Sequence, residues 1–165
     1  MREDPLKNSP IPWSHMNSWH AVQLSLHHHT ARFSSVRESL LPLAQDIELR
    51  LHAAAVQMEA LCAHTCTHCP DPCCLKASVW YDFRDLLGLH LYGEAPPMGQ
   101  PITNYGDVCR YLSHSGCTLP RLIRPWICTW YICPVQARWL RMQPGEVGRN
   151  LDRALGQIKS RRSAL

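Results

Sequence analysis

Nine cysteines fall into two runs, and that grouping constrains the fold more than any other feature of the chain. The first run, CAHTCTHCPDPCC, holds Cys62, Cys66, Cys69, Cys73 and Cys74 within thirteen positions. The second, CRYLSHSGCTLPRLIRPWICTWYIC, spreads Cys109, Cys117, Cys128 and Cys133 and contains no acidic residue. Sulfur at this density in a short chain implies disulfides or metal, and the compartment decides between them. The opening residues, MREDPLKNSPIPWSHMNSWH, carry acids and prolines but no apolar run of the length a secretory signal needs. That predicts a cytoplasmic protein, in which thiols stay reduced and clustered cysteines serve as ligands. The odd count and the adjacent pair Cys73 and Cys74 weigh the same way. A membrane span is not expected either, because the most apolar stretch, LIRPWICTWYICPV, is interrupted by Arg124.

Thiolate is a soft ligand that selects zinc or iron–sulfur, and a Cys-x2-Cys bite such as Cys66 and Cys69 lets one tight turn offer two sulfurs to one metal. Cys73 and Cys74, as neighbours in extended chain, point to opposite sides. One then serves a first centre and the other a second, or one only packs. Cys109, Cys117, Cys128 and Cys133 supply four more sulfurs, enough for two four-ligand centres with Cys62 left over as a small apolar residue. Around the second run, Arg110, Arg121, Arg124, Arg138 and Arg141 offer neutralising charge, and Trp126, Trp130 and Tyr131 offer shielding from water. Zinc and iron–sulfur both accept four thiolates. The number of cysteines, the lack of a well-placed histidine and the nearby aromatics tilt the choice toward iron–sulfur. His64 and His68 lie inside the first run and could replace a sulfur in a zinc site.

The formal net charge of +4 counts each cysteine as a neutral thiol. Eight thiolates on two zinc ions would carry about −4 together, which removes the basic excess. The charge is therefore not read as a nucleic-acid footprint.

The 165 residues, 45% hydrophobic and 18% charged, suit one globular domain with tails. Residues 1–34 show no sustained period and predict an irregular N-terminal arm. Its His27, His28 and His29 do not converge on one ion in regular structure. Residues 35–165 are expected to form a single cysteine-cluster domain. Ser35 and Glu38 have capping-box spacing, and Leu40, Ala44, Ile47, Leu51, Ala54, Met58 and Leu61 repeat at helical steps. They predict one long amphipathic helix, with Pro42 as its start or a kink. Its stripe over 40–61 is a packing face or, at a/d spacing, a homodimer seam. Pro70 and Pro72 enforce a loop, SVWYDF (78–83) reads as a strand, and FRDLLGLHLYG (83–93) as a short helix ending near Gly93. A C-terminal helix starts at PGE (144–146), with Val147, Leu151, Leu155 and Ile158 on one face and a basic end. The expected fold is thus mainly α: a small metal-stabilised domain with a long amphipathic helix, cysteine-rich loops and a C-terminal helix.

The stretches CTHCPDPCC and GDVCRYLSHSGCTLPRLIRPWICTWYIC, with Tyr111-Leu112, Gly116-Cys117 and Arg124-Pro125 in order, resemble the YkgJ-type cysteine-cluster family. That family is described as a zinc- or iron-chelating CxxCxxCC domain and includes flagellin lysine-N-methylases. The resemblance covers roughly residues 62–134. It implies metal or iron–sulfur binding through Cys66, Cys69, Cys73, Cys74, Cys109, Cys117, Cys128 and Cys133. In this chain three residues separate Cys69 from Cys73 where the family pattern has two, which loosens the assignment in the first run most.

The function expected is binding of one or two iron–sulfur or zinc centres for electron transfer, metal handling or a redox-linked modification with a protein partner. Two alternatives compete. One is a zinc-stabilised interaction module without chemistry. The other is a radical S-adenosylmethionine-type enzyme using Cys62, Cys66 and Cys69, whose Cys-x3-Cys-x2-Cys spacing would need a strand–helix barrel that too little chain remains to build. Conventional catalysis has little support, since no serine–histidine–carboxylate set or phosphate loop is present and Asp82 and Asp85 lack a defined partner.

Overall fold

A computed structural model describes residues 9–67, 69, 72–75 and 78–165; His68 and Pro70, singled out above, lie outside them. Six α-helices occur among the described residues: α1 (Met16–Arg32), α2 (Ser34–Thr65), α3 (Phe83–Tyr92), α4 (Trp126–Trp130), α5 (Pro134–Met142) and α6 (Glu146–Arg162). A two-residue hairpin, β1 (Leu112–Ser113) and β2 (Gly116–Cys117), and 3-10 turns at Cys73–Leu75 and Arg121–Ile123 punctuate the cysteine-rich segments. The fold is mainly helical, as the sequence predicts.

Helical periodicity builds the centre of the molecule. On α2, Ala44, Ile47, Ala54, Met58 and Leu61 are each no more than 1% exposed, with Leu40 and Leu51 half-buried beside them. Leu151, Leu155 and Ile158 of α6 close over Ile47, Ala54, Met58 and Leu61. The stripe residues Ala44, Ile47, Ala54, Met58 and Leu61 are therefore packed within the chain rather than offered to a second copy, while Leu49 and Val56 stay exposed elsewhere on the helix. The helix runs through Pro42 without ending. Its entry is not the predicted capping box: Phe33 holds the N-cap position and no side chain caps it.

The expected irregular arm is corrected by α1. Trp19 and Leu26, seven residues apart, are its buried anchors, and Val22 packs between them at helical spacing. So few apolar positions among histidines and serines leave almost no periodic signal, and the area of one tryptophan does much of the docking. The Trp19 indole N–H donates to the Pro97 carbonyl at 3.1 Å. Trp19 joins Ala44, Tyr81, Leu86 and Leu89 in a second apolar cluster, which meets the first at Tyr92 and Leu165.

SVWYDF forms no strand: residues 78–82 carry no regular secondary structure, and Phe83 already opens α3. The buried Gln100 amide stands in for one: its Oε1 accepts the Tyr81 N–H at 2.7 Å, and its Nε2 donates to the Tyr81 carbonyl at 3.0 Å. Directly after it, Asp82 and Asp85 form a capping box for α3, and Gly93 ends that helix at φ +80°, a conformation open to glycine. Both carboxylates also meet Arg162 at the end of α6, at 3.0 and 2.9 Å. Asp82 and Asp85 are thus structural. No helix among the described residues is long and apolar enough to cross a membrane.

Candidate thiolate metal centre

Cys62 and Cys66 close α2. Four residues apart, they share one helix face, and Cys66 is the C-cap. The Cys69 N–H donates to the Cys66 carbonyl at 3.2 Å, which turns the chain away from the helix. Cys73 and Cys74 ride the following 3-10 turn, and the Cys74 carbonyl accepts the Cys109 N–H at 3.2 Å. That bond ties the second cysteine run to the first. The β1–β2 hairpin then doubles the chain back, pairing Leu112 with Cys117 across a turn whose Gly116 has φ +107°. Pro125 starts α4, which carries Cys128, and Cys133 caps α5 through a capping box with Gln136.

Two side chains organise the sulfurs around Cys62. Arg121 donates from Nη2 to Cys62 Sγ at 3.1 Å. Gln136 donates from Nε2 toward Cys62 Sγ at 3.5 Å and Cys66 Sγ at 3.7 Å, while its backbone N–H points to Cys133 Sγ at 3.5 Å. Both are buried, at 7% and 5% exposure. Among the described residues Arg121 Nε and Nη1 have no hydrogen-bond partner, so a buried guanidinium faces this sulfur with donors to spare.

The thiols perturb one another. Cys62 is lowered to about 6, first because Cys66 offers it an S–H hydrogen bond and then because of the Arg121 charge and hydrogen bond, with burial opposing. Cys66, which holds the shared proton, is raised by that bond and by burial. Cys73 and Cys74 repeat the arrangement, Cys73 lowered to about 6 and Cys74 raised. Burial, then the charges of Cys117 and Cys109, pushes Cys128 up to about 12. Cys109 is raised by burial and by Cys117. So many neighbouring sulfurs cannot all ionise without added positive charge, which a bound cation supplies.

All nine cysteines are free thiols. The structure brings Cys74, Cys109, Cys117 and Cys128 into one neighbourhood and Cys66 and Cys133 into another, with Cys73 acting electrically on both. Cys69 is linked to them through its backbone. Among the described residues, no three cysteine, histidine, aspartate or glutamate side chains already meet in a metal-holding arrangement. The donor set nonetheless fits a thiolate-bound centre, because it is soft, reduced and faced by a buried cation with unused donors.

Several expectations about the surroundings change. Arg121 and Arg124 act on Cys62 and Arg110 acts on Cys109 while also donating to Thr103 Oγ1, whereas Arg138 and Arg141 are exposed. Trp126 lies under the Arg162 guanidinium, 5.6 Å from it, and Trp130 and Tyr131 are 45% and 41% exposed, so little shielding comes from them. His64 stacks on Trp139 at 5.1 Å. The sequence reading set Cys62 aside as a small packing residue and gave Gln136 no role, whereas both lie among the sulfurs. Their signals were the i, i+4 spacing of Cys62 and Cys66 and a glutamine three residues after Cys133. The chain after Cys69 forms helices and one short hairpin among the described residues, which gives a radical-enzyme barrel no scaffold. No protein-family model, curated protein or solved structure matches the chain.

Proposed function

We propose that the protein binds iron–sulfur or zinc through its clustered cysteines and works in the cytoplasm, in electron transfer, metal handling or a redox-linked modification with a protein partner. The observation that carries this reading is Arg121, a buried guanidinium whose partner among the described side chains is a sulfur and whose Nε and Nη1 are unused. Burying such a charge unpaired is expensive, and a thiolate cluster with residual negative charge offsets it. The spacing that resembles the YkgJ-type cysteine cluster supports the same reading. When bound, an iron–sulfur centre would supply one-electron chemistry, and zinc would supply structure alone. The chain's own residues do the rest. Arg121 and Gln136 orient Cys62 and Cys66, and the hairpin returns Cys117 toward Cys109 and Cys128.

The test is anaerobic purification followed by metal and sulfide analysis and a visible spectrum. Iron with labile sulfide and broad visible charge-transfer absorption is the expected result. Colourless protein holding zinc alone keeps the thiolate centre and removes electron transfer, leaving the interaction module. Protein without metal and with its cysteines in disulfides removes both.

A further inference from the structure

The thiolate-centre reading leaves open which sulfurs belong together, and the resemblance leaves Cys62 out. We propose that Cys62 is a metal ligand, grouped with Cys66, Cys133 and one sulfur of the turn carrying Cys69 and Cys73, while Cys74, Cys109, Cys117 and Cys128 form a separate centre. This rests on the thiolate-centre reading and assigns its ligands.

One residue touches three of the sulfurs. Gln136 reaches Cys62 and Cys66 through its side-chain amide and Cys133 through its backbone N–H, and is itself 5% exposed. Arg121 adds a second, independent pointer, since its buried guanidinium contacts Cys62 and, among the described residues, keeps two further buried donors without a partner. Cys62 and Cys66, at i and i+4, have Cβ atoms about 5–6 Å apart. Sulfurs from such a pair can meet one ion at bond lengths of about 2.3 Å by side-chain rotation alone.

The other four sulfurs are held by different contacts. The Cys109 N–H to the Cys74 carbonyl joins the runs there, the hairpin carries Cys117 on its return strand and Cys128 follows on α4; Cys109, Cys117 and Cys128 stand close enough to act on one another electrically.

The test uses the full chain, reduced and metal-free, loaded in parallel with Zn2+ or with iron and sulfide, alkylated with N-ethylmaleimide and mapped by mass spectrometry. Metal should protect Cys62, Cys66 and Cys133, and a chelator should expose all three. Cys62→Ser should lose about half the bound metal and expose Cys66 and Cys133, while Cys74, Cys109, Cys117 and Cys128 stay protected. Equal modification of Cys62 with and without metal overturns the assignment while leaving the metal reading intact, and the wild-type map gives that answer even if the variant fails to fold. Full metal content in Cys62→Ser, with Cys66 and Cys133 still protected, overturns it as well. Wild-type chain that takes up neither metal sinks the thiolate-centre reading together with the assignment.

Discussion

Arg121 sets the chemistry of the Cys62–Cys66 pair in the metal-free chain. Its charge and its 3.1 Å hydrogen bond favour the Cys62 thiolate, alongside the S–H of Cys66. Replacing it by leucine removes both effects and leaves the Cys66 bond. Arg121→Leu should therefore move the apparent pKa for alkylation of Cys62 upward from about 6 toward the ordinary thiol range and slow its labelling near neutral pH several-fold. An unchanged pH–rate profile, measured by mass-resolved alkylation, would remove Arg121 from the site. The sequence showed five arginines near the second run, and charge neutralisation was a sound expectation from them. Which of them reaches sulfur was not legible, because that depends on the 3-10 turn at Arg121–Ile123 facing the end of α2. Gln136 was hidden more deeply, since a lone glutamine carries no chemical signal until its neighbours in space are known.

At the scale of elements, α2 and α6 were readable because their apolar residues repeat at helical steps, and the structure buries the predicted Ile47, Met58, Leu61, Leu151, Leu155 and Ile158. Ile158→Ala at this interface, where the side chain is fully buried, should cost about 2–5 kcal/mol in urea unfolding. A cost below about 0.5 kcal/mol would mean that α6 does not pack there in solution. By contrast α1 was misread, because Trp19 and Leu26 anchor a helix otherwise composed of polar residues. That helix is also held by a titratable contact, the 2.7 Å hydrogen bond between Gln23 and His90 of α3, beside His27. Burial, then the charge of His27, lowers His90 from 6.5. The unfolded or undocked state thus takes the proton more readily. The contribution of His90 to docking is present above pH 6.5 and is lost as pH falls through the lowered folded value. Arg37 and Glu38 line the same cleft. Hydrogen exchange of α1 amides, normalised to α6, should accelerate as pH falls below 6.5. His90→Gln should flatten that dependence. Identical pH profiles for α1 and α6 in the unaltered chain would show that His90 does not govern docking.

Across the whole molecule, an apolar body and a sulfur-bearing flank are joined at several points. One is the partly buried ion cluster in which Arg162 meets Asp82 and Asp85, Trp126 donates its backbone N–H to Asp85 at 3.0 Å, and the indole lies under the guanidinium. It ties the end of α6 to the starts of α3 and α4, and so fixes the helix that carries Cys128. Arg162→Met would leave Asp85, 8% exposed in its side chain, without its counter-charge, and should cost about 3–5 kcal/mol by urea unfolding. No measurable loss would mean that the cluster is solvated.

The apolar clusters draw chiefly on α1, α2, α3 and α6, and the segment from Cys109 to Cys133 contributes Leu119 as its fully packed apolar member, with Tyr111, Cys117, Ile123, Trp126 and Ile132 only partly buried against them. Burial of this extent supports the helices without metal, whereas the flank has short elements and few apolar contacts to hold it. The sequence pointed to a fold that depends on metal throughout, because cysteines are conspicuous in a string of letters and the packing of α1 is not. If the proposed centres form, chelation under reducing conditions should leave most helical circular dichroism in place and raise hydrogen exchange selectively over 109–133 and the end of α2. Global loss of helix on chelation would show instead that the apolar body cannot stand alone. Unchanged exchange over 109–133, in protein shown to have lost its metal, would mean that the hairpin, the 3-10 turn at Arg121–Ile123 and α4 are held by their packing against Leu119 and by the Arg162 cluster rather than by a metal.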